Sequence, residues 1–142
     1  MAINNAPIFT GQPDIQWINA VVTANTTTDL TGGTIYLVFT ADATNGGFVQ
    51  KLSMRSLGTN IATVIRVWLN NGSTTGTASN NTLIAEATLA ATTLSQVAAV
   101  AHYEVPLNIA LPAGYRIYVT VGTTVAVGYD VAAWGGKYTA AA

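Results

Sequence analysis

The feature that most constrains this chain is a succession of short runs rich in Val, Ile, Thr and aromatic residues, each closed off by Gly, Asn or Pro, with no convincing helical periodicity between them. Eight such runs are read, over residues 15–23, 34–40, 47–57, 63–70, 83–89, 102–109, 115–121 and 127–134. The best helical competitor, 90–101, is Ala-rich but carries Thr92, Thr93 and two valines without charged pairs, so a loop or a single turn is expected there.

Alternation within the runs assigns their faces, because successive strand side chains point to opposite sides. In the seventh run Tyr115, Ile117, Val119 and Val121 oppose Arg116, Tyr118 and Thr120; in the sixth Tyr103, Val105, Leu107 and Ile109 oppose His102, Glu104 and Pro106. The fifth sets Leu83, Ala85, Ala87 and Leu89 against Ile84, Glu86 and Thr88. One-sided patterning of this kind marks antiparallel sheets with one solvated face. Turn residues agree: Asn70-Asn71-Gly72, Thr31-Gly32-Gly33, Asn45-Gly46-Gly47 and Pro112-Ala113-Gly114 all tolerate the backbone that tight reversals need. The expectation is an all-β, antiparallel two-sheet sandwich, a jelly roll of about eight strands. An immunoglobulin-like sandwich is the alternative, and its Cys and Trp signature is missing. Residues 1–13, with Ile3, Ile8, Phe9 and two prolines, read as an extended N-terminal arm ahead of a single domain over 14–142.

Composition then narrows function. Only 8% of the 142 residues are charged, there is no Cys, and there is one His; an average soluble domain is about 25% charged. Lys51, Arg55, Arg66, Arg116 and Lys137 are scattered, so the chain lacks the basic patch that displaces counterions from phosphates, and no nucleic-acid partner is expected. No apolar run reaches the roughly 18 residues of a membrane span, and the N-terminus has no secretory pattern, so synthesis in a cytoplasm is expected. His102 and Glu104 share a strand face, yet no second His, Cys or nucleophile elbow accompanies them; they read as a solvent-facing pair, with no enzyme activity, cofactor or metal site expected. The six acidic residues fall in separate elements and read as surface charges. Asn25, Asn71 and Asn80 each begin an N-x-Ser/Thr triplet, a pattern that chance supplies freely in so Asn- and Thr-rich a chain.

Among the tryptophans, Trp17 reads as core, while Trp68 falls with Val64 and Arg66 on the face opposite Ile65, Val67 and Leu69. Val64, Arg66 and Trp68 thus form a candidate outward strip for subunit contact, since Trp and Arg are enriched at interface hot spots. A carbohydrate-stacking platform of Trp17, Trp68 and Trp134 with the tyrosines is the competing use, core packing being the default for Trp17. The arm residues Ile3, Ile8 and Phe9 are candidates for docking on a partner.

Several motifs carry a resemblance. The stretches are Thr63-Val64-Ile65-Arg66-Val67-Trp68-Leu69-Asn70-Asn71-Gly72, Asn81-Thr82-Leu83-Ile84-Ala85-Glu86, Pro106-Leu107-Asn108-Ile109-Ala110-Leu111-Pro112-Ala113-Gly114-Tyr115 and Trp134-Gly135-Gly136-Lys137-Tyr138. Together they resemble small virion proteins of tailed bacteriophages, nearest the capsid decoration, or cement, proteins. The resemblance implies a β-sandwich or jelly roll without enzymatic activity. It also implies binding to the outside of an assembled head, commonly as a homotrimer, with the major capsid protein and further copies of itself as partners. Head fibres and tail tips that bind a host receptor or carbohydrate are the alternative setting. In either case the location implied is the virion.

Overall fold

A computed structural model describes residues 10–139. Eight strands run through the described residues: β1 (Thr10–Val21), β2 (Tyr36–Thr40), β3 (Gly47–Ser56), β4 (Thr63–Asn70), β5 (Asn81–Leu89), β6 (His102–Leu111), β7 (Arg116–Val121) and β8 (Tyr129–Tyr138). A single 3-10 turn, Ala78–Asn80, is the one helical element among the described residues, and 90–101 is a loop touched by one isolated bridge between Asn60 and Thr92.

The strands form two four-stranded sheets, ordered β1-β8-β3-β6 and β2-β7-β4-β5, with every pairing antiparallel. The order follows from a simple construction. The first four strands pair in reverse with the last four, β1 with β8, β2 with β7, β3 with β6 and β4 with β5; rolling that double ribbon adds β3·β8 and β4·β7 and splits it into two facing sheets. This is the jelly roll, two Greek keys closed on one core.

Alternation places the core as expected in most strands. Val49, Leu52, Met54, Val105, Val131 and Ala133 of one sheet meet Phe39, Ile65, Val67, Leu89, Ile117, Val119 and Val121 of the other, all buried. The irregularities sit where the pattern slips. A register shift in β5 opposite Val67 and Trp68 makes Ile84 an extra residue; Ile84 turns in to pack against the core and Leu83 is left 42% exposed, the reverse of the expected assignment. Strand β8 continues past Trp134 through Gly135 and Gly136. A side chain at Gly135 would collide with the carbonyl oxygen of Phe48 on β3, so the glycine that looks like a strand ending is what lets the strands approach. Residues Thr10 to Pro13, read as part of an arm, belong to β1 and pair with β8 from Tyr138 to Gly136. The rest of the arm, with Ile3, Ile8 and Phe9, lies outside the described residues.

The edge strands β1 and β2 meet along one side of the sandwich, where Gln16 joins the sheets. Its side-chain amide donates to the Thr40 carbonyl at 2.9 Å and accepts the Thr40 N–H at 2.9 Å, replacing a strand partner for β2. Gln16 therefore points inward, which sends its neighbours Ile15 and Trp17 out.

Buried asparagines hold the loops. Asn60 donates to Ser56 Oγ and the Gly128 carbonyl, and its Oδ1 accepts the N–H groups of Val127 and Gly128, all at 2.9 to 3.0 Å. Thr92 Oγ1 completes the knot by donating to the Gly58 carbonyl at 2.7 Å. Asn25 ties down 22–35 through Nδ2 to the carbonyls of Gly32 and Thr34, and through Oδ1 to the Thr27 N–H. Its side chain is consumed by this work and is only 3% exposed, so the first N-x-Thr triplet is a structural anchor. Among the described residues one buried side-chain polar atom lacks a partner, the Tyr129 hydroxyl, whose pKa burial pushes up.

Candidate functional site

Two exposed regions concentrate what chemistry this chain displays. The first is the end of the sandwich formed by the loops 57–62, 90–101 and 122–128. None of the three contains a charged residue. They expose Leu57, Ile61, Leu94, Val97 and Val127, with Val97 97% accessible. The tips are nevertheless ordered from below: the Asn60 knot links all three loops, and the Leu94 N–H donates to Thr59 Oγ1 at 3.0 Å. An apolar surface held in place in advance loses less conformational entropy when a partner covers it.

The second region is the outer face of the β1-β8-β3-β6 sheet. Cross-strand register sets its rows: Ile15, Trp134, Lys51 and Pro106 lie side by side, then Trp17, Ala132, Ser53 and Glu104, then Asp130, Arg55 and His102. A concavity of about 410 Å³ runs over this surface, with Trp17 on one wall, Arg55 and His102 on the other, and Ser53 and Ala132 between. Glu104 accepts Lys51 Nζ at 2.7 Å and lies 3.3 Å from His102 Nε2. The Lys51 bond, then the His102 contact, holds its carboxyl below the usual glutamate value. Trp134 is braced by its indole N–H, which donates to Ser53 Oγ at 2.7 Å.

The tryptophans exchange their expected places. Trp17 is 63% exposed, because the inward turn of Gln16 fixes the parity of β1 and sends Trp17 outward. Trp68 does point away from the main core, as alternation requires, but it is 2% exposed. The 22–35 segment crosses the outer face of the second sheet and covers Trp68 with Leu30 and Ile35, beside Tyr118; the indole N–H donates to Thr120 Oγ1 at 3.0 Å. The candidate strip is thus broken. Val64 and Arg66 remain half-buried on that face, and Arg66 Nε donates to Glu86 Oε1 at 2.7 Å, its register partner. Subunit contact through Trp68 is corrected to a second small core under a loop.

His102 and Glu104 do share the outer sheet face, as the alternation predicts. Among the described residues no group of three or more His, Cys, Asp or Glu side chains is placed to hold a metal, and no helix is long and apolar enough to cross a membrane. The loop-end residues and the Arg55–Asp130 pair are functional candidates that the strand pattern does not single out. The one sequence signal for the loop end is the absence of charge in three separate loops.

No family model matches the chain, and no curated protein matches its sequence. One solved structure, described as "Structure of infectious bursal disease virus Gx strain", is similar over 95% of this chain and 35% of its own, at 15% identity and a TM-score of 0.32. A likeness of that size carries no argument about function.

Proposed function

We propose that this chain is a non-enzymatic virion protein of a tailed bacteriophage, a capsid decoration protein that binds the outer surface of the assembled head and bridges neighbouring capsid subunits. The observation that carries the reading is the charge-free, apolar loop end presented by Leu57, Ile61, Leu94, Val97 and Val127. A surface of this kind docks on protein without the desolvation cost of burying charges. The motif resemblance described above supplies the phage head as partner, with the major capsid protein as the docked surface and a homotrimer as the assembled form. Arm residues 1–9 would add contacts on the head or on a neighbouring copy.

The test is attachment of the purified protein to heads of the phage that encodes it, followed by sedimentation and counting of copies per particle. Hundreds of copies are expected, retained in about 1 M salt, where the Debye length is about 3 Å. Val97→Lys and Leu94→Asp, both at exposed loop positions, are expected to release the protein without lowering its unfolding midpoint. Attachment that dissociates readily in salt, or that both variants retain, overturns the loop-end account; a few copies per particle overturn the decoration role in favour of a fibre or tail part.

A further inference from the structure

The concave outer face of β1-β8-β3-β6 carries chemistry that head docking through the loop end leaves unused. Arg55 and Asp130 are register partners with opposite charge, yet no ion pair joins them, and Arg55 makes no side-chain hydrogen bond among the described residues. Among the described residues Asp130 accepts a single side-chain bond, from the Ala20 N–H at 3.2 Å. Asn19, one row from Trp17 on the same strand, has its amide free among the described residues and lines the same concavity. A donor head, an acceptor head and an amide that is both thus converge beside an exposed indole. The floor between Trp17 and Ser53 is Ala132, a small side chain, and spans two strand spacings, roughly 10 Å. That gap admits one six-membered ring lying against the indole.

We propose that this concavity binds a saccharide, taking one neutral pyranose unit with its C–H face stacked on Trp17 and its hydroxyls bonded by Arg55, Asp130 and Asn19. The volume, about 410 Å³, falls within the about 300–1,000 Å³ of ligand pockets. Hydroxyl groups donate and accept at once, so a polyol satisfies the mixed set of heads here. An apolar peptide would cover Arg55 and Asp130 and leave them unpaired, which is costly. An anionic sugar would face Asp130, and the formal charges that line the trench balance, Arg55 against Asp130. A neutral sugar is the class that meets no penalty. The proposal rests on neither the phage head nor the loop end, which lies on different parts of the chain.

The experiment is titration of the isotope-labelled full chain with methyl α-glucoside, methyl α-galactoside, methyl α-mannoside and N-acetylglucosamine, with glucuronic acid as the anionic comparison. The readout is the indole N–H resonance of Trp17, with the backbone amides of Asn19, Arg55 and Asp130 as the readout in Trp17→Ala, and the buried Trp68 indole reports that the fold is intact. At least one neutral sugar is expected to shift Trp17 saturably, with a Kd on the order of millimolar for so small a ligand. Trp17→Ala abolishes the binding; Arg55→Gln and Asp130→Asn each weaken it about tenfold, the loss of one charge-assisted hydrogen bond; Arg66→Gln, on the other sheet, leaves it unchanged. If none of these sugars moves Trp17, if binding survives Trp17→Ala, or if glucuronic acid binds more tightly than every neutral probe, the proposal is overturned. Head attachment is measured on the wild-type and Trp17→Ala proteins: attachment lost in the variant, with no sugar response from the wild-type chain, makes this face a protein interface and also overturns the proposal, whereas sugar binding by a wild-type chain that does not attach to heads leaves this inference standing and removes the decoration role.

Discussion

The two sheets of this sandwich treat their outer faces oppositely, and one tryptophan on each shows how. On β1, Trp17 stands in solvent over a trench lined by Asn19, Arg55 and Asp130; on β4, Trp68 also points outward and is almost wholly buried. The difference lies in a single connection. Segment 22–35, anchored by Asn25, lies across the second sheet and brings Leu30 and Ile35 down on Trp68. Among the described residues no comparable segment crosses the first sheet, which leaves a strand surface free to recognise something. Parity alone says which side of a sheet a residue is on; it does not say what else lies there.

The sharpest way to break this comparison is Trp68→Ala, which removes the centre of the covered cluster and is expected to cost about 3–5 kcal/mol, read as a lower midpoint in urea unfolding. A cost near that of a surface change would mean that the segment does not pack on the sheet. Asn25→Ala attacks the cover from its anchor, leaving the Gly32 and Thr34 carbonyls without their donor; an expected loss of about 1–3 kcal/mol comes with faster hydrogen exchange across 22–35. Acidification acts more weakly and on both faces. Asp29, on the cover, is held below the usual aspartate value first by the Thr31 hydroxyl and then by the Thr31 N–H, and Glu104, on the open face, is lowered by Lys51 and His102. A carboxyl with a lowered folded pKa stabilises above its unfolded value and loses that contribution as pH falls through the folded one. Stability is therefore expected to decline only below the ordinary carboxylate range, and to be flat from there to neutrality as far as these groups are concerned. The smallest effect belongs to Trp17→Ala, expected to change stability by no more than about 0.5 kcal/mol in the same urea assay. A larger loss would mean that Trp17 supports the fold and that the open face is not free.

Much of the fold was legible because strand alternation and turn residues are local. The seventh run shows it well: Ile117, Val119 and Val121 are fully buried where the pattern placed them. The failures share one cause, contact with something distant in sequence. Trp17 reads as core because core packing is the default for a tryptophan, but Gln16 takes the inward position to bond Thr40, 24 residues away. Leu83 and Ile84 exchanged faces through a bulge visible only against Val67 and Trp68. Gly135 and Gly136 read as the end of a strand until Phe48 is seen against them. The candidate surfaces were less legible still. Arg55, Asp130 and Trp17 come from three strands, and Leu57, Leu94 and Val127 from three loops, so neither grouping has a spacing for the sequence to display.

By itself the sequence determined that this chain would be a two-sheet β-sandwich with neutral loops and scarce charge, since side-chain period and turn chemistry act between near neighbours. The tertiary structure alone decided which outward surface stays open. Burial on the outside of a sheet depends on where a connecting segment comes to rest, and that is settled by the Asn25 backbone N–H bond to the Val121 carbonyl of β7 and the fit of Leu30 against Trp68, contacts whose energy exists only once the sheets have formed.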